Sequence, residues 1–257
     1  MSQSNPQRFS SKIAMVTGAS RGIGAAVASQ LAAEGAHVVL VSRDKDSLAE
    51  VAASISEHGG QATVMSCHVG RVEAIDQLMG QVEQELGRLD CLVNNAGTNP
   101  YFGMAGDAEE WAFDKTFAVN LKGPYFLSAR AVKLMAKNGG GSIVNVASIE
   151  GLQPARQHLL YAMSKAAMIN MSVGFAKEYG PDGIRVNTVC PGVVETRLAK
   201  ALTENPQVQK MLKYTPAGRH AQPEEMVEGI LYLLSDGASY TTATTLTMDG
   251  GTLTNAF

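Results

Sequence analysis

The chain of 257 residues is 45% hydrophobic and 18% charged, an ordinary globular balance that can fill a sizeable core. Its net charge of −3 leaves no basic footprint for nucleic acid, no apolar run is long enough to cross a bilayer, and the polar start MSQSNPQRFSSK lacks the apolar segment of a signal peptide. Three scattered cysteines, Cys67, Cys91 and Cys190, and five histidines without ligand spacing point away from a disulfide framework and from a metal site, so a cytoplasmic protein is expected.

Met1 to Ser11 reads as a loose lead-in. The apolar run Ile13 to Thr17 is a strand, followed by Gly18, Gly22 and Gly24 and then an Ala-rich helix over Gly22 to Glu34, with Gly35 at its C-terminal cap. Ala36 to Ser42 is β-branched and continuous, as a strand covered on both faces should be. Asp44 caps a helix over Lys45 to His58, ended by Gly59-Gly60. Gln61 to Cys67 is the third strand, Val72 to Leu86 an amphipathic helix, and Leu89 to Asn94 the fourth strand.

A long helical stretch spans Glu109 to Lys137, with Gly123-Pro124 predicting a bend. Ser142 to Ala147 is the fifth strand, Leu159 to Tyr179 a helix, and Ile184 to Cys190 the sixth strand. Glu195 to Tyr214 reads as a mobile helical segment. Pro223 to Leu234 is a helix with proline at its start, and Thr244 to Met248 is the last strand. Strand and helix alternate throughout. The pattern predicts an α/β protein, a Rossmann-type doubly wound parallel sheet of about seven strands with helices on both faces. No repeat or linker interrupts it, so residues 1–257 are expected to form a single domain.

The glycine turn after the first strand places backbone N–H groups and a helix N-terminus at one point, where a phosphate or pyrophosphate binds. Its spacing, G-x-x-x-G-x-G, differs from the G-x-G-x-x-G fingerprint. Ligands of such sheets lie beyond the carboxyl ends of the strands. Thr17-Gly18, Ser42-Arg43, Asn94 to Gly97, Ala147-Ser148 and Pro191-Gly192 converge there, which favours a long ligand lying across one edge. Tyr161 and Lys165 are four apart on one helix face. An ammonium beside a phenol favours the phenolate, which makes Tyr161 a candidate general acid–base. Ser148 is placed to donate a hydrogen bond to the same reacting oxygen.

Thr17-Gly18-x-x-x-Gly22-x-Gly24, Asn94-Asn95-Ala96-Gly97, Asn120, Ser148, Tyr161-x-x-x-Lys165 and Pro191-Gly192 occur in that order. Together they strongly resemble the short-chain dehydrogenase/reductase family, over Lys12 to Gly251. The resemblance implies an NAD(P)-dependent enzyme interconverting an alcohol and a ketone or aldehyde. It makes Tyr161 the acid–base and gives Lys165 the nicotinamide ribose and the lowering of the Tyr161 pKa. Ser148 orients the substrate oxygen, and Asn120 holds a water of a proton relay. The cofactor residues it implies are Gly18, Ser20, Arg21, Gly22, Ile23, Gly24, Ser42, Arg43, His68, Val69, Asn94, Ala96, Gly97, Pro191, Gly192, Val194 and Thr196, together with Tyr161 and Lys165. Family members are commonly homotetramers built through the long helices, and Leu253 and Phe257 fit a buried tail.

Charge argues the cofactor. A carboxylate at the ribose suits NAD and a cation suits NADP. Arg21 and Arg43 at the ribose end, with Ser42 beside them, favour NADP(H) over NAD(H), against the nearby Asp44. One departure stands out. His68 occupies the place where the family carries an aspartate against adenine. Cys67-His68-Val69-Gly70 and Asn99 to Gly103 look similar to an NADPH-dependent carbonyl/retinal reductase branch. The substrate pocket draws on Tyr101 to Gly103, Glu150 to Leu159, and a lid over residues 193–214. Tyr101, Phe102, Leu152, Leu198, Leu202, Met211 and Leu212 suggest an apolar or aromatic carbonyl compound. The alternatives are a 3-oxoacyl-[acyl-carrier-protein] reductase and, from a different class, a catalytically idle dinucleotide-binding protein. A small molecule is the expected partner, with no nucleic acid, membrane or metal.

Overall fold

The structure is a computed structural model that describes residues 7–199 and 203–254. Its centre is one seven-stranded sheet of order β3-β2-β1-β4-β5-β6-β7. The strands are β1 (Ile13–Thr17), β2 (His37–Ser42), β3 (Gln61–Ser66), β4 (Cys91–Asn94), β5 (Gly141–Val146), β6 (Ile184–Pro191) and β7 (Thr245–Met248). Every pairing is parallel. The helices are α1 (Gly22–Ala33), α2 (Lys45–Glu57), α3 (Val72–Leu86), α4 (Glu110–Phe117), α5 (Gly123–Lys137), α6 (Leu159–Tyr179), α7 (Pro206–Leu212) and α8 (Val227–Leu234).

Alternation along the central strands divides the core. Ala14, Val16, Val38 and Leu40 point to one face and pack with Val27 and Leu31 of α1, Leu48 of α2 and Ile230 of α8. Ile13, Met15, Val39 and Val41 point to the other and pack with Ile75 and Val82 of α3, Leu127 and Met135 of α5 and Phe175 of α6. Side chains of period two, with helices on both sides, explain why these strands read as unbroken apolar runs.

The start of the chain corrects one expectation. Phe9 is fully buried in the first cluster, its N–H donates to Glu34 O at 3.0 Å, and Arg8 forms a two-pronged ion pair with buried Glu34. The lead-in is therefore anchored from Arg8 onward, while Met1 to Pro6 lie outside the described residues. The expected bend at Gly123-Pro124 is instead a π-helical turn, Ala118–Lys122, placed between α4 and α5. Pro124 sits at the start of α5, where its missing N–H costs nothing. Pro223–Met226 forms a 3₁₀ turn before α8, fastened by a capping box of Gln222 and Glu225. Of the expected lid helix, α7 forms, and Leu202 lies outside the described residues.

Candidate active site

The strand order reverses between β1 and β4, which opens a crevice at their carboxyl ends. Thr17 and Asn95 fasten its two banks. Thr17 Oγ1 accepts from the N–H groups of Asn95 and Ala96, both at 3.0 Å, and Asn95 Nδ2 donates to Thr17 O at 2.9 Å. The glycine turn folds over this clamp. Gly18 and Gly22 adopt φ of +66° and +56°, and a Cβ on Gly24 would stand 2.5 Å from Asn95 Nδ2. Here only glycine fits, because the turn and the β4 loop touch backbone to side chain.

The N-terminus of α1 has no side-chain cap and no acid in its first turn. Its N–H groups are left for an anion, which fits the pyrophosphate of a dinucleotide. Ser20 and Ile23 are half-buried in the same turn. Thr196 closes over it, with Cγ2 3.2 Å from where a Gly22 Cβ would lie. Val194 is held by a bridge to Ala221 and packs into the core. Pro191 ends β6, and the Gly192 N–H donates to Met248 O at 3.0 Å.

At the far end of the crevice, Arg21 and Arg43 are exposed, and among the described residues neither forms an ion pair. Asp44 is occupied by its own helix. It caps α2 through Ser47 N–H at 3.2 Å and Ser47 Oγ at 2.7 Å. Those bonds, with the Arg21 charge as a weaker cause, hold its carboxyl below the ordinary value. Ser42 Oγ is turned onto the Asp44 backbone. His68 Nδ1 accepts the Gly70 N–H at 3.1 Å, within its own loop, and Val69 is buried.

The polar centre lies where β4, β5, the π turn and α6 meet. Lys165 is buried and donates to Val146 O at 2.8 Å. Asn120, carried inward by the π turn, accepts the Thr98 N–H at 2.8 Å and donates to Thr98 O at 2.8 Å and Ser164 Oγ at 3.1 Å. A Cβ on Gly97 would lie 3.7 Å from both Asn120 Oδ1 and Lys165 Nζ, so these three groups share one small space. Lys165 Nζ stands 5.6 Å from the centre of the Tyr161 ring. Ser148 faces the Tyr161 hydroxyl and pulls its pKa downward, and its Oγ accepts the Glu150 N–H at 3.2 Å.

The expected electrostatics of the Tyr161–Lys165 pair differ here. Burial raises the Tyr161 phenol, against the pull of the Ser148 hydrogen bond and with a further push from Glu150. Burial also lowers Lys165 from 10.5 to about 8. Both shifts have burial as their largest cause, which disfavours the charged form of each group. Burial likewise pushes Cys67 and Cys190 to about 11 and Cys91 to about 12, so none is an activated nucleophile.

The Asn94 side chain points away from the crevice, to Ser128 Oγ at 3.0 Å and Asn145 Oδ1 at 2.8 Å. Sequence reasoning missed Asn95 and Thr17 as the clamp, Ser164 behind Asn120, and a pair formed by Glu150 and His158 beside Tyr161. The signal for the last was a Glu and a His eight apart in the segment joining Ser148 to Tyr161. Among the described residues no His/Cys/Asp/Glu group could hold a metal, and no helix is long and apolar enough to cross a membrane.

A glycine cradle at the switch point, an uncapped helix, and a centre of buried Lys165 and Asn120 beside half-buried Tyr161 and Ser148 define a dinucleotide-binding α/β oxidoreductase. A family model described as enoyl-(acyl carrier protein) reductase matches residues 18–253. Dehydrogenase/reductase SDR family member 4 of Homo sapiens is 36% identical over 245 residues, 95% of this chain and 88% of that protein. D-Threitol dehydrogenase of Mycolicibacterium smegmatis is 35% identical over 247 residues, 95% of this chain and 94% of that one. The crystal structure of a gluconate 5-dehydrogenase from Burkholderia cenocepacia in complex with NADP and tartrate is similar with a TM-score of 0.93 at 28% identity, covering 98% of this chain and 99% of that one. The chain belongs to the short-chain dehydrogenase/reductase family. It is an oxidoreductase of the alcohol/ketone couple, in a family that binds a nicotinamide dinucleotide.

Proposed function

We propose that the protein is an NADP(H)-dependent oxidoreductase interconverting an alcohol with a ketone or aldehyde, with Tyr161 as general acid–base. The observation that carries this reading is the shared space of Gly97, Asn120 and Lys165 beside Tyr161 and Ser148. The bound cofactor supplies or accepts the hydride. Ser148 orients and polarises the substrate oxygen. Tyr161 is protonated at neutral pH because burial disfavours its charged form, so it gives its proton to the carbonyl oxygen during reduction. Lys165 holds the nicotinamide ribose. Asn120 holds a water linking Lys165 to solvent, and the proton returns to Tyr161 along that line.

Arg21 and Arg43 hold the 2′-phosphate of the cofactor ribose. Support comes from their lack of ion-pair partners among the described residues, from the commitment of Asp44 to its own helix, and from the NADP named with the gluconate 5-dehydrogenase. Gly18, Ser20, Gly22, Ile23 and Gly24 cradle the pyrophosphate. Ser42, His68 and Val69 flank the adenosine end. Asn94, Ala96, Gly97, Pro191, Gly192, Val194 and Thr196 form the nicotinamide end, with Asn94 and Val194 acting through the loops they anchor.

A second reading, reduction of a 3-oxoacyl group on an acyl carrier protein, draws on the wording of the matched family. The protein is further proposed to be a single cytoplasmic domain that assembles as a homotetramer. Exposed Trp111, Tyr125 and Met163 on α4, α5 and α6 support the assembly. The test is consumption of NADPH and NADH by the purified protein with aldehydes, ketones, diketones and acyl thioesters. NADPH consumed ahead of NADH with a ketone or aldehyde supports the reading. Turnover of acyl thioesters alone favours the second. Binding of cofactor without any turnover refutes both in favour of an idle binder.

A further inference from the structure

Cys67-His68-Val69-Gly70, the loop after β3, carries an imidazole to the carboxyl edge of the sheet. Two bonds stitch this loop to the end of β2. The Cys67 N–H donates to Ser42 O at 2.9 Å, and Ser66 Oγ donates to Arg43 O at 3.2 Å. On its other side the loop meets the π turn, with Val119 Cγ2 3.4 Å from where a Gly70 Cβ would lie. The centre of Tyr161, Lys165 and Asn120 lies on the β4 and β5 side of the crevice, and the uncapped start of α1 follows β1. A dinucleotide with its pyrophosphate at α1 and its nicotinamide at Tyr161 sets its other base over β2 and β3, where His68 stands.

The bonds of the loop fix which ring atom is the donor. The Gly70 N–H points at His68 Nδ1 at 3.1 Å. A backbone N–H only donates, so Nδ1 holds a lone pair and the ring proton sits on Nε2. Glycine allows this reach, since a Cβ on Gly70 would stand 3.0 Å from His68 Cε1 and 3.2 Å from Nδ1. The His68 carbonyl accepts the Arg71 N–H at 2.9 Å, which closes the loop at the start of α3. His68 is half-buried. Among the described residues its Nε2 has no hydrogen-bond partner, and it is not one of their buried unpaired atoms, so this N–H opens to solvent. Asp44, the carboxylate at the neighbouring strand end, is held by Ser47 as the cap of α2. The edge thus offers a fixed donor and keeps its nearby carboxylate occupied.

We propose that His68 is a specificity-determining residue for the base of the cofactor, its Nε2–H donating to an acceptor on the purine edge. The adenine of NADP(H) presents both kinds of group: its 6-amino group donates and its ring nitrogens accept. A carboxylate at this place would bind the amino group. An N–H donor cannot, and pairs instead with a ring nitrogen, or with the 6-oxygen when the base is hypoxanthine. The site therefore does not select the 6-amino group, and it takes a 6-oxopurine dinucleotide as readily as the 6-aminopurine one. Gly70 is a positioning residue, whose N–H holds Nδ1 and so keeps the proton on Nε2. This inference rests on the proposed placement of NADP(H) in the crevice.

The test measures kcat/KM and the dissociation constant for NADPH and for its 6-oxo analogue, reduced nicotinamide hypoxanthine dinucleotide phosphate, with one carbonyl substrate. The two cofactors differ only at the six-position of the purine, so the chemistry at the nicotinamide cancels in their ratio. In the wild type the ratio, adenine over hypoxanthine, should lie within about threefold of one, below what a selective hydrogen bond gives. His68→Asp, which accepts from the amino group and repels the oxygen, should raise the ratio by about 10-fold or more, as a bond to a charged group does. His68→Leu should weaken both cofactors alike, by about 3–10-fold, through the lost bond. Should His68→Asp fail to fold, the wild-type ratio and His68→Leu decide. A wild-type preference for adenine above about threefold, a ratio that His68→Asp leaves unchanged, or full affinity in His68→Leu overturns the inference and leaves the reaction standing. A wild type that neither binds nor consumes either cofactor overturns both.

Discussion

Replacing Lys165 by Met should make the cofactor-free protein more stable while abolishing its activity. Lys165 is 3% exposed, and burial lowers its pKa from 10.5 to about 8. At ~1.4 kcal/mol per pH unit, that difference is a cost of about 3 kcal/mol for keeping the ammonium charged inside the fold. Below pH 8 the amine is charged both folded and unfolded, and the whole cost is present. Between pH 8 and 10.5 the unfolded chain holds a proton that the folded chain lacks, so stability climbs with pH. Above 10.5 neither state is charged and the cost is gone. Methionine fills the same space without the charge. It gives up the bond to Val146 O, worth about 1 kcal/mol. The variant should therefore be about 2 kcal/mol more stable at pH 7, and the difference should shrink to near zero by pH 10. The assay is urea unfolding of both proteins without cofactor, at equal concentration, at pH 7, 8.5 and 10. A variant less stable than wild type at pH 7, or a difference that does not change with pH, refutes the reasoning.

Three other substitutions probe separate parts of the account. Gly24→Ala should weaken NADP(H) binding and lower stability by about 1–3 kcal/mol, since its methyl would press on Asn95 and the glycine turn; cofactor fluorescence titration and thermal melting read both effects. Phe9→Ala should cost about 3–5 kcal/mol, as for a fully buried aromatic, with kcat of the remaining folded protein unchanged; urea unfolding checks it, and a loss under 1 kcal/mol would return Phe9 to a loose lead-in. Arg43→Asp should move selectivity from NADPH toward NADH by about 10-fold or more, and unchanged selectivity in steady-state kinetics would sink the 2′-phosphate assignment.

The sheet was readable because its strands are buried on both faces and its helices open and close at glycines and caps. β1 is an unbroken apolar run between turn signals and α3 carries a clear helical period, and the crevice follows from the strand order. The π turn was not readable. Its residues AVNLK have the composition of ordinary helix, and the turn carries Asn120 onto Thr98 and Ser164, partners 22 and 44 residues away in sequence. Phe9 escaped because one aromatic in a polar segment has no period; its burial depends on Arg8 reaching Glu34, 26 residues later.

The site divides in the same way. Tyr161 and Lys165 lie four apart on one helix, so their shared face is a property of local geometry. Their electrostatics are not local, because burial by β5, β6 and the π turn acts on both and drives the two pKa values in opposite directions. Glu150 and His158 sit in a loop with no regular period, and their pairing depends on how the segment from Ser148 to Tyr161 folds back on itself. Thr17 and Asn95, 78 residues apart, are joined by the parallel pairing of β1 with β4.

The central claim is that Tyr161 moves the proton at the substrate oxygen. Tyr161→Phe keeps the ring beside Lys165 and removes only the hydroxyl. NADPH consumption with the best carbonyl substrate, measured alongside NADPH binding by fluorescence, should fall by at least about 10²–10⁴-fold with the dissociation constant for NADPH unchanged. Undiminished turnover in that variant would contradict the account.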